Sequence, residues 1–130
     1  MAPIIWYSKK QNTVEASTFG SEFVAMKVAT EMNKALRYKL QMMGVPIDGP
    51  TNVFCDNASV VKNATVPEST LSKKHLSICY HMIREACAAM IQRVCHEDGK
   101  TNLADILTKC LAGPRLRELC GKFMYGKIQN

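Results

Sequence analysis

The sequence predicts an α/β fold in which about three short strands, mostly parallel, alternate with flanking helices. Three observations predict it. Apolar, β-prone runs occur at residues 4–7, 52–55 and 91–95, each next to polar or turn-forming residues. Longer segments with apolar residues at helical spacing separate these runs. The chain of 130 residues is 47% hydrophobic, enough for a core, so we assign 1–130 to a single domain.

The first strand and the first helix are predicted from the N-terminal third of the chain. A polar turn closes the strand at 4–7, and we expect its Trp6 and Tyr7 to lie in the core. Ser17 or Thr18 can cap a long helix, because an apolar stripe with four-residue spacing follows and ends at a glycine. Such a helix can serve as the crossover between two parallel strands.

The remaining elements follow from the same signals. After the second strand a short helix is expected, and a polar segment with a proline then leads to a second substantial helix. A polar loop follows the third strand, and a Gly-Pro pair separates two C-terminal helices. The predicted helices after the second strand cover 57–62, 71–89, 102–111 and 115–125.

Composition limits the classes of function. The formal net charge of +6 favours an anionic partner such as nucleic acid, although scattered solvated lysines explain it equally well. Six cysteines without a Cys-x-x-Cys pair indicate reduced thiols, so we expect an intracellular protein, cytoplasmic or nuclear, that is not secreted. No apolar run approaches the roughly 20 residues that cross a bilayer, so we expect no membrane partner.

Three acidic residues are the candidate functional residues. Glu22 stands near the start of the long helix, Asp56 ends the second strand, and Asp105 stands near the start of a later helix. Carboxylates that converge repel one another unless cations lie between them, so the set predicts a divalent-metal site. Simpler roles remain open: Asp56 could cap the following helix, and Glu22 and Asp105 could complement helix dipoles.

Five phrases stand in order along the chain: WYSKKQ at 6–11, SEF at 21–23, FCDN at 54–57, KHLSI with YHMIRE at 74–85, and LADILTK at 103–109. Together they resemble the RNase H domain of the Pol polyproteins of copia-type LTR retrotransposons. The resemblance runs over nearly the whole chain. It implies an RNase H-like fold and hydrolysis of the RNA strand of RNA–DNA hybrids with two Mg²⁺ ions, or Mn²⁺.

The resemblance also assigns the acidic residues. Glu22, Asp56 and Asp105 match the second, third and fourth acidic positions of the family, so it implies that they are catalytic and bind the metal. The first aspartate and the first two strands of the family have no counterpart here, so we expect a truncated domain with little or no nuclease activity alone. We expect residues 4–7 to pair directly with 53–55.

Two further alternatives concern partners. An open sheet edge could instead recruit a second copy of the chain or a complementing strand. The chain could also be a non-catalytic remnant that binds nucleic acid or protein. The candidate contacts to nucleic acid are Lys73, Lys74, Arg84 and His96. The last of these falls in the loop where other RNase H branches carry a histidine for proton transfer, although a solvated loop residue is the simpler interpretation.

Overall fold

The computed structural model of the chain describes residues 3–12 and 17–124, which divide between two compact units. One unit is Thr13–Glu97, and the other consists of Met1–Asn12 with Asp98–Asn130. The described residues form two parallel strands and five α-helices, so the predicted α/β class is confirmed. No described helix combines the length and the apolar character that a membrane span requires.

Helix α1 (Thr18–Met42) begins and ends where the sequence predicts. Ser17 is extended, and its hydroxyl accepts a hydrogen bond from Gly20 N at 3.3 Å, which satisfies one free amide of the first turn. At the other end Gly44 adopts a φ of 76°, and its N–H donates to Gln41 O at 2.9 Å. Glycine tolerates this left-handed conformation, in which a residue with a side chain would be strained, so Gly44 can end the helix.

Strands β1 (Thr51–Cys55) and β2 (Gln92–His96) form a parallel two-stranded sheet. Helices α2 (Ala58–Thr65) and α3 (Ser77–Ala88) lie between them in the chain, with a short 3₁₀ turn at Lys74–Leu76 before α3. The helices pack their apolar sides on one another and on one face of the sheet, which buries a single core. That core consists of Phe23, Met26, Cys55, Val60, Ala64, Leu76, Tyr80, Ile83 and Val94.

The predicted strand at 4–7 is wrong. These residues form no strand, and their side chains are exposed: Trp6 by 68% and Tyr7 by 53%, so neither lies in a core. The expected pairing of 4–7 with 53–55 is wrong as well, because β1 pairs with β2. A β-prone run becomes a strand only where a partner accepts its backbone hydrogen bonds, and here the described residues offer it none.

The second unit contains the C-terminal helices. Helix α4 (Asp105–Thr108) is much shorter than the predicted 102–111, because its backbone leaves helical geometry at Lys109. Helix α5 (Gly113–Phe123) carries a proline in its first turn, where the missing N–H costs nothing. The predicted end of this helix at 125 lies outside the described residues.

Candidate metal centre

Glu22, Cys55 and Asp56 come together in the unit Thr13–Glu97. Glu22 lies one turn inside α1, Cys55 ends β1, and Asp56 is the next residue along the chain. One carboxylate oxygen from each acidic residue and the Cys55 Sγ all lie within 4.8 Å of one another. The prediction that Glu22 and Asp56 lie close together is therefore confirmed by their geometry, while metal binding by them stays a prediction.

The carboxylate of Glu22 is poorly satisfied by protein. Its Oε2 atom is inaccessible to solvent and has no hydrogen-bond partner among the described residues. A buried carboxylate oxygen without a partner is costly, because it loses its hydration without compensation. A cation held between Glu22 and Asp56 would supply the missing partner.

The thiol of Cys55 responds to the same electrostatic environment. Burial raises the pKa of Cys55 above its ordinary value of 9.0, and the negative charges of Glu22 and Asp56 raise it further. A backbone hydrogen bond at Asn57 opposes this increase. Burial is the larger cause, and the two carboxylates add to it because a thiolate beside them would be a further negative charge.

The simpler roles considered for two of these residues are wrong. The N-cap of α2 is Asn57, whose Oδ1 accepts from Ser59 N at 3.0 Å and from Val60 N at 3.3 Å, so Asp56 is not the cap. Glu22 lies beyond the first turn of α1, where no acidic residue stands, so it is too far along the helix to complement the dipole there. Neither helix capping by Asp56 nor stabilisation of the helix dipole by Glu22 therefore explains these side chains.

The donor set fits magnesium through its two carboxylates. Mg²⁺ takes oxygen ligands in octahedral geometry and keeps several waters, so one or two protein carboxylates are enough to hold it. The thiol of Cys55 contributes nothing to such an ion, because sulfur is a soft ligand. The sequence analysis did not place Cys55 in this cluster, although it stands directly before Asp56 in the quoted FCDN phrase.

His96 lies at the same end of the sheet. It is the last residue of β2 and pairs in register with Cys55, so the expectation that it belongs to a loop is wrong. Its side chain is exposed. Carboxyl ends of parallel strands meet at one edge of a sheet, which is where α/β proteins gather functional residues.

Asp105 lies in the other unit, and its environment there is cationic. Its side chain is almost fully buried, with Oδ1 at 2.8 Å from Lys109 Nζ and Oδ2 at 3.3 Å from Arg115 Nη2. It stands in the first turn of α4, as the simpler interpretation expected. Asn102 accepts from Ala104 N at 3.1 Å but does not cap the helix. Metal binding by Asp105 stays a prediction.

The basic candidates for nucleic-acid contact differ in their surroundings. Lys73 Nζ donates to Ser17 Oγ and lies 5.8 Å from the centroid of the Phe19 ring. Lys74 is exposed at the start of the 3₁₀ turn. Arg84 is instead enclosed by the loop that precedes the turn, so among the three Lys74 is the most accessible to a phosphate.

The unit Thr13–Glu97 is a parallel α/β unit in which two carboxylates lie close together at the carboxyl end of a strand. Over most of its length the chain is similar to retrovirus-related Pol polyproteins of plant transposons. It is 29% identical to that of transposon RE1 of Arabidopsis thaliana over 92% of the chain, and 30% identical to that of RE2 over 85%. It is 36% identical to that of transposon TNT 1-94 of Nicotiana tabacum over 98% of the chain.

These similarities confirm that the chain has homologues among transposon Pol polyproteins, as the five phrases predicted. The chain spans only 8 to 9% of the length of these relatives, so it corresponds to one segment of a much longer polyprotein. No family model matches the sequence, and no solved structure matches it.

Proposed function

We propose that the chain is an RNase H-type segment of a retrotransposon Pol polyprotein of the copia type, and that it acts on RNA–DNA hybrids. The observation that carries the proposal is the convergence of Glu22 and Asp56 at the carboxyl end of β1, with Glu22 Oε2 buried and unpartnered. The similarity to Pol polyproteins over most of the chain supports it. The reaction is hydrolysis of RNA phosphodiesters.

Glu22 and Asp56 hold the metal in this proposal. Mg²⁺ or Mn²⁺ held there would supply activation of a water and stabilisation of the leaving oxygen of the phosphodiester. Glu22 and Asp56 would hold the ion from a long helix and from the end of a strand, which keep the donor atoms in place. Asp105 is the proposed third carboxylate, and in that role it must exchange its ion pairs with Lys109 and Arg115 for the metal.

The free edge of β1 is the proposed place for a complementing strand. Thr51 N bonds to Ile91 O and Cys55 O accepts from Glu97 N, so these backbone groups point toward β2. Successive residues of a strand alternate between its two edges, so the backbone groups of Asn52 and Phe54 point away from β2. No strand of the described residues pairs there. A parallel strand added at this edge would end beside Asp56 and could bring a further carboxylate to the metal.

The test uses a labelled RNA–DNA hybrid. The chain alone is expected to cleave it little or not at all with Mg²⁺ or Mn²⁺. A chimera that places the preceding segment of the TNT 1-94 polyprotein before residue 3 is expected to cleave the RNA strand, and Asp56→Asn in the chimera should abolish cleavage. A folded chimera without cleavage, or cleavage that survives Asp56→Asn, would overturn the proposal.

A second candidate function is non-catalytic binding of nucleic acid, which the net charge of +6 favours. It predicts that the chain binds the hybrid with an affinity that falls steeply with salt, and that the chimera binds without cleaving. Binding measured at several salt concentrations, with Lys74→Ala as a variant, separates this function from the nuclease.

A further inference from the structure

Trp6 and Tyr7 are large aromatic side chains that the fold leaves in solvent. They are exposed by 68% and 53%, and neither ring stacks with another aromatic ring in the described part of the chain. Ser8, the next residue, donates from its hydroxyl to Leu107 O at 2.9 Å, which attaches the pair to helix α4 of the same unit. Exposed apolar surface held beside folded structure in this way marks an interaction site.

The positive charge of the chain is concentrated in the same unit. The unit formed by Met1–Asn12 and Asp98–Asn130 contains eight Lys/Arg and three Asp/Glu, a net charge of +5 out of the +6 of the whole chain. The unit Thr13–Glu97 contains nine and eight, a net charge of only +1. Lys9 and Lys10 directly follow the aromatic residues and Ser8, are exposed, and make no ion pair with the described residues.

We propose that residues 6–10 bind single-stranded nucleic acid, RNA or DNA, through two aromatic and two basic side chains: Trp6, Tyr7, Lys9 and Lys10. Aromatic rings offer stacking surfaces to unpaired bases, and lysines neutralise the phosphates of the same strand. The proposal requires neither the metal nor cleavage, so it goes beyond the proposed nuclease. It gives the non-catalytic binding of nucleic acid considered above a place in the chain.

The chemistry of the segment favours an unpaired strand over other partners. In a duplex the faces of the bases are covered by their neighbours, so exposed rings can stack only on unpaired bases. A second copy of the chain would bring the same excess of positive charge to the contact, which opposes self-association. A polyanion with accessible aromatic bases satisfies both the rings and the lysines.

The experiment uses Trp6 as its reporter, because it is the only tryptophan of the chain. The 130-residue chain is titrated with an unlabelled oligothymidylate of about 12 nucleotides, without divalent metal and at several salt concentrations. The proposal expects saturable quenching of the tryptophan fluorescence, because a base stacks on the indole, and an affinity that falls as salt rises. Absence of quenching would overturn it.

A pair of aromatic variants tests the stacking. Trp6→Ala should weaken binding of a fluorescently labelled oligothymidylate about tenfold, measured by anisotropy. Tyr38→Ala is the matched control, because Tyr38 is exposed by 64% on α1 in the other unit, and it should leave the affinity unchanged. Equal affinities of Trp6→Ala and the wild type would overturn the proposal.

A pair of double variants tests the phosphate contacts. Lys9→Ala with Lys10→Ala should reduce the slope of log affinity against log salt by about 1.4, because each phosphate contact to a single strand contributes about 0.7. Lys39→Ala with Lys62→Ala removes the same charge at exposed positions of the other unit and should leave the slope unchanged. Equal slopes in the two double variants would contradict the assignment.

Two further outcomes separate this site from other occupants and from the nuclease. A blunt RNA–DNA hybrid that quenches Trp6 as strongly as the single strand would overturn the stacking, and so would fluorescence that responds to chain concentration but not to the oligonucleotide, which indicates self-association. Asp56→Asn should bind the oligothymidylate like the wild type. Quenching without cleavage by the chimera contradicts the nuclease alone, and cleavage without quenching contradicts this site alone.

Discussion

Asp105 shows how a buried charge is stabilised at the scale of one residue. Its carboxylate is paired with Lys109 and Arg115, and each of these cations remains partly exposed. Asp105→Asn keeps the shape but removes the charge, so we expect the free energy of unfolding to fall by about 1–3 kcal/mol. Urea unfolding followed by circular dichroism measures the change.

The control is Glu118→Gln on the surface of α5, where the carboxylate lies 4.0 Å from Lys122 and is mostly exposed. Such pairs contribute little, so the free energy of unfolding should change by less than about 0.5 kcal/mol. Equal losses in the two variants would show that the ion pairs of Asp105 are no stronger than a surface pair.

Arg84 fastens the segment that precedes α3. Its Nη1 donates to Asn63 O at 3.0 Å and to Val66 O at 2.7 Å, and its Nη2 donates to Pro67 O at 3.0 Å. The guanidinium also lies 4.9 Å from the centroid of the Tyr80 ring. Lysine cannot reproduce this planar set of donors, so we expect Arg84→Lys to lower the free energy of unfolding by about 1–3 kcal/mol.

The matched control for Arg84→Lys is Arg93→Lys. Arg93 is exposed on the sheet and bonds only to Asn52 Oδ1 among the described contacts, so the substitution should cost less than about 0.5 kcal/mol. Hydrogen exchange gives a second measurement: amides of residues 63–69 should lose protection in Arg84→Lys alone. Unchanged protection there would contradict the fastening role.

At the scale of elements, one buried polar contact joins α1 to β2. Gln92 Nε2 donates to Thr30 Oγ1 at 3.0 Å, and Thr30 Oγ1 donates to Met26 O at 2.9 Å. Both side chains are almost fully buried. Thr30→Val removes the acceptor but leaves the amide inside, so we expect a loss of about 1–3 kcal/mol in the free energy of unfolding.

A double-mutant cycle tests this contact. Gln92→Met removes the amide as well, and the double variant Thr30→Val with Gln92→Met should be more stable than Thr30→Val alone, because no buried donor is then left without its partner. If the effects of the two substitutions simply add, the contact contributes no coupling between α1 and β2.

Elements with strong local signals could be predicted from the sequence. The Ser17 cap, the apolar stripe and Gly44 determine α1, and the runs that became β1 and β2 lie between clear turn signals. The segment at 4–7 has the same β-prone composition as these runs, yet it is exposed and unpaired. The prediction of a strand at 4–7 failed because strand formation depends on a pairing partner, which local composition cannot specify.

The candidate site could be predicted in part, where its residues stand in elements with strong local signals. The quoted phrases place Glu22 and Asp56 at the ends of elements, where convergence is expected, and the structure brings them together. The position of Cys55 in the cluster could not be predicted, because strict alternation along β1 sends its side chain and that of Asp56 to opposite faces. The chain leaves strand geometry at Asp56, which lets both side chains reach the same place.

At the scale of the whole molecule, partly buried thiols make stability depend on pH. Burial raises the pKa of Cys87 above its ordinary value of 9.0, against smaller opposing effects of Gln92, Val94 and Arg84. The folded chain therefore holds the thiol proton more tightly than the unfolded chain does. The resulting stability is fully present below about pH 9 and is lost as the pH rises through the folded pKa.

We therefore expect the free energy of unfolding to fall as the pH rises above about 9, because unfolding then releases the protons of thiols whose pKa is raised in the folded chain. Cys87→Ser removes one of these groups and should make the decline shallower, whereas Cys110→Ser, at an exposed position, should leave the slope unchanged. Urea unfolding of the reduced chain between pH 7 and 10.5 measures the three slopes. A decline that is equally steep in Cys87→Ser and the wild type would show that ionisation of this thiol is not coupled to folding, and that other groups set the alkaline limit of the fold.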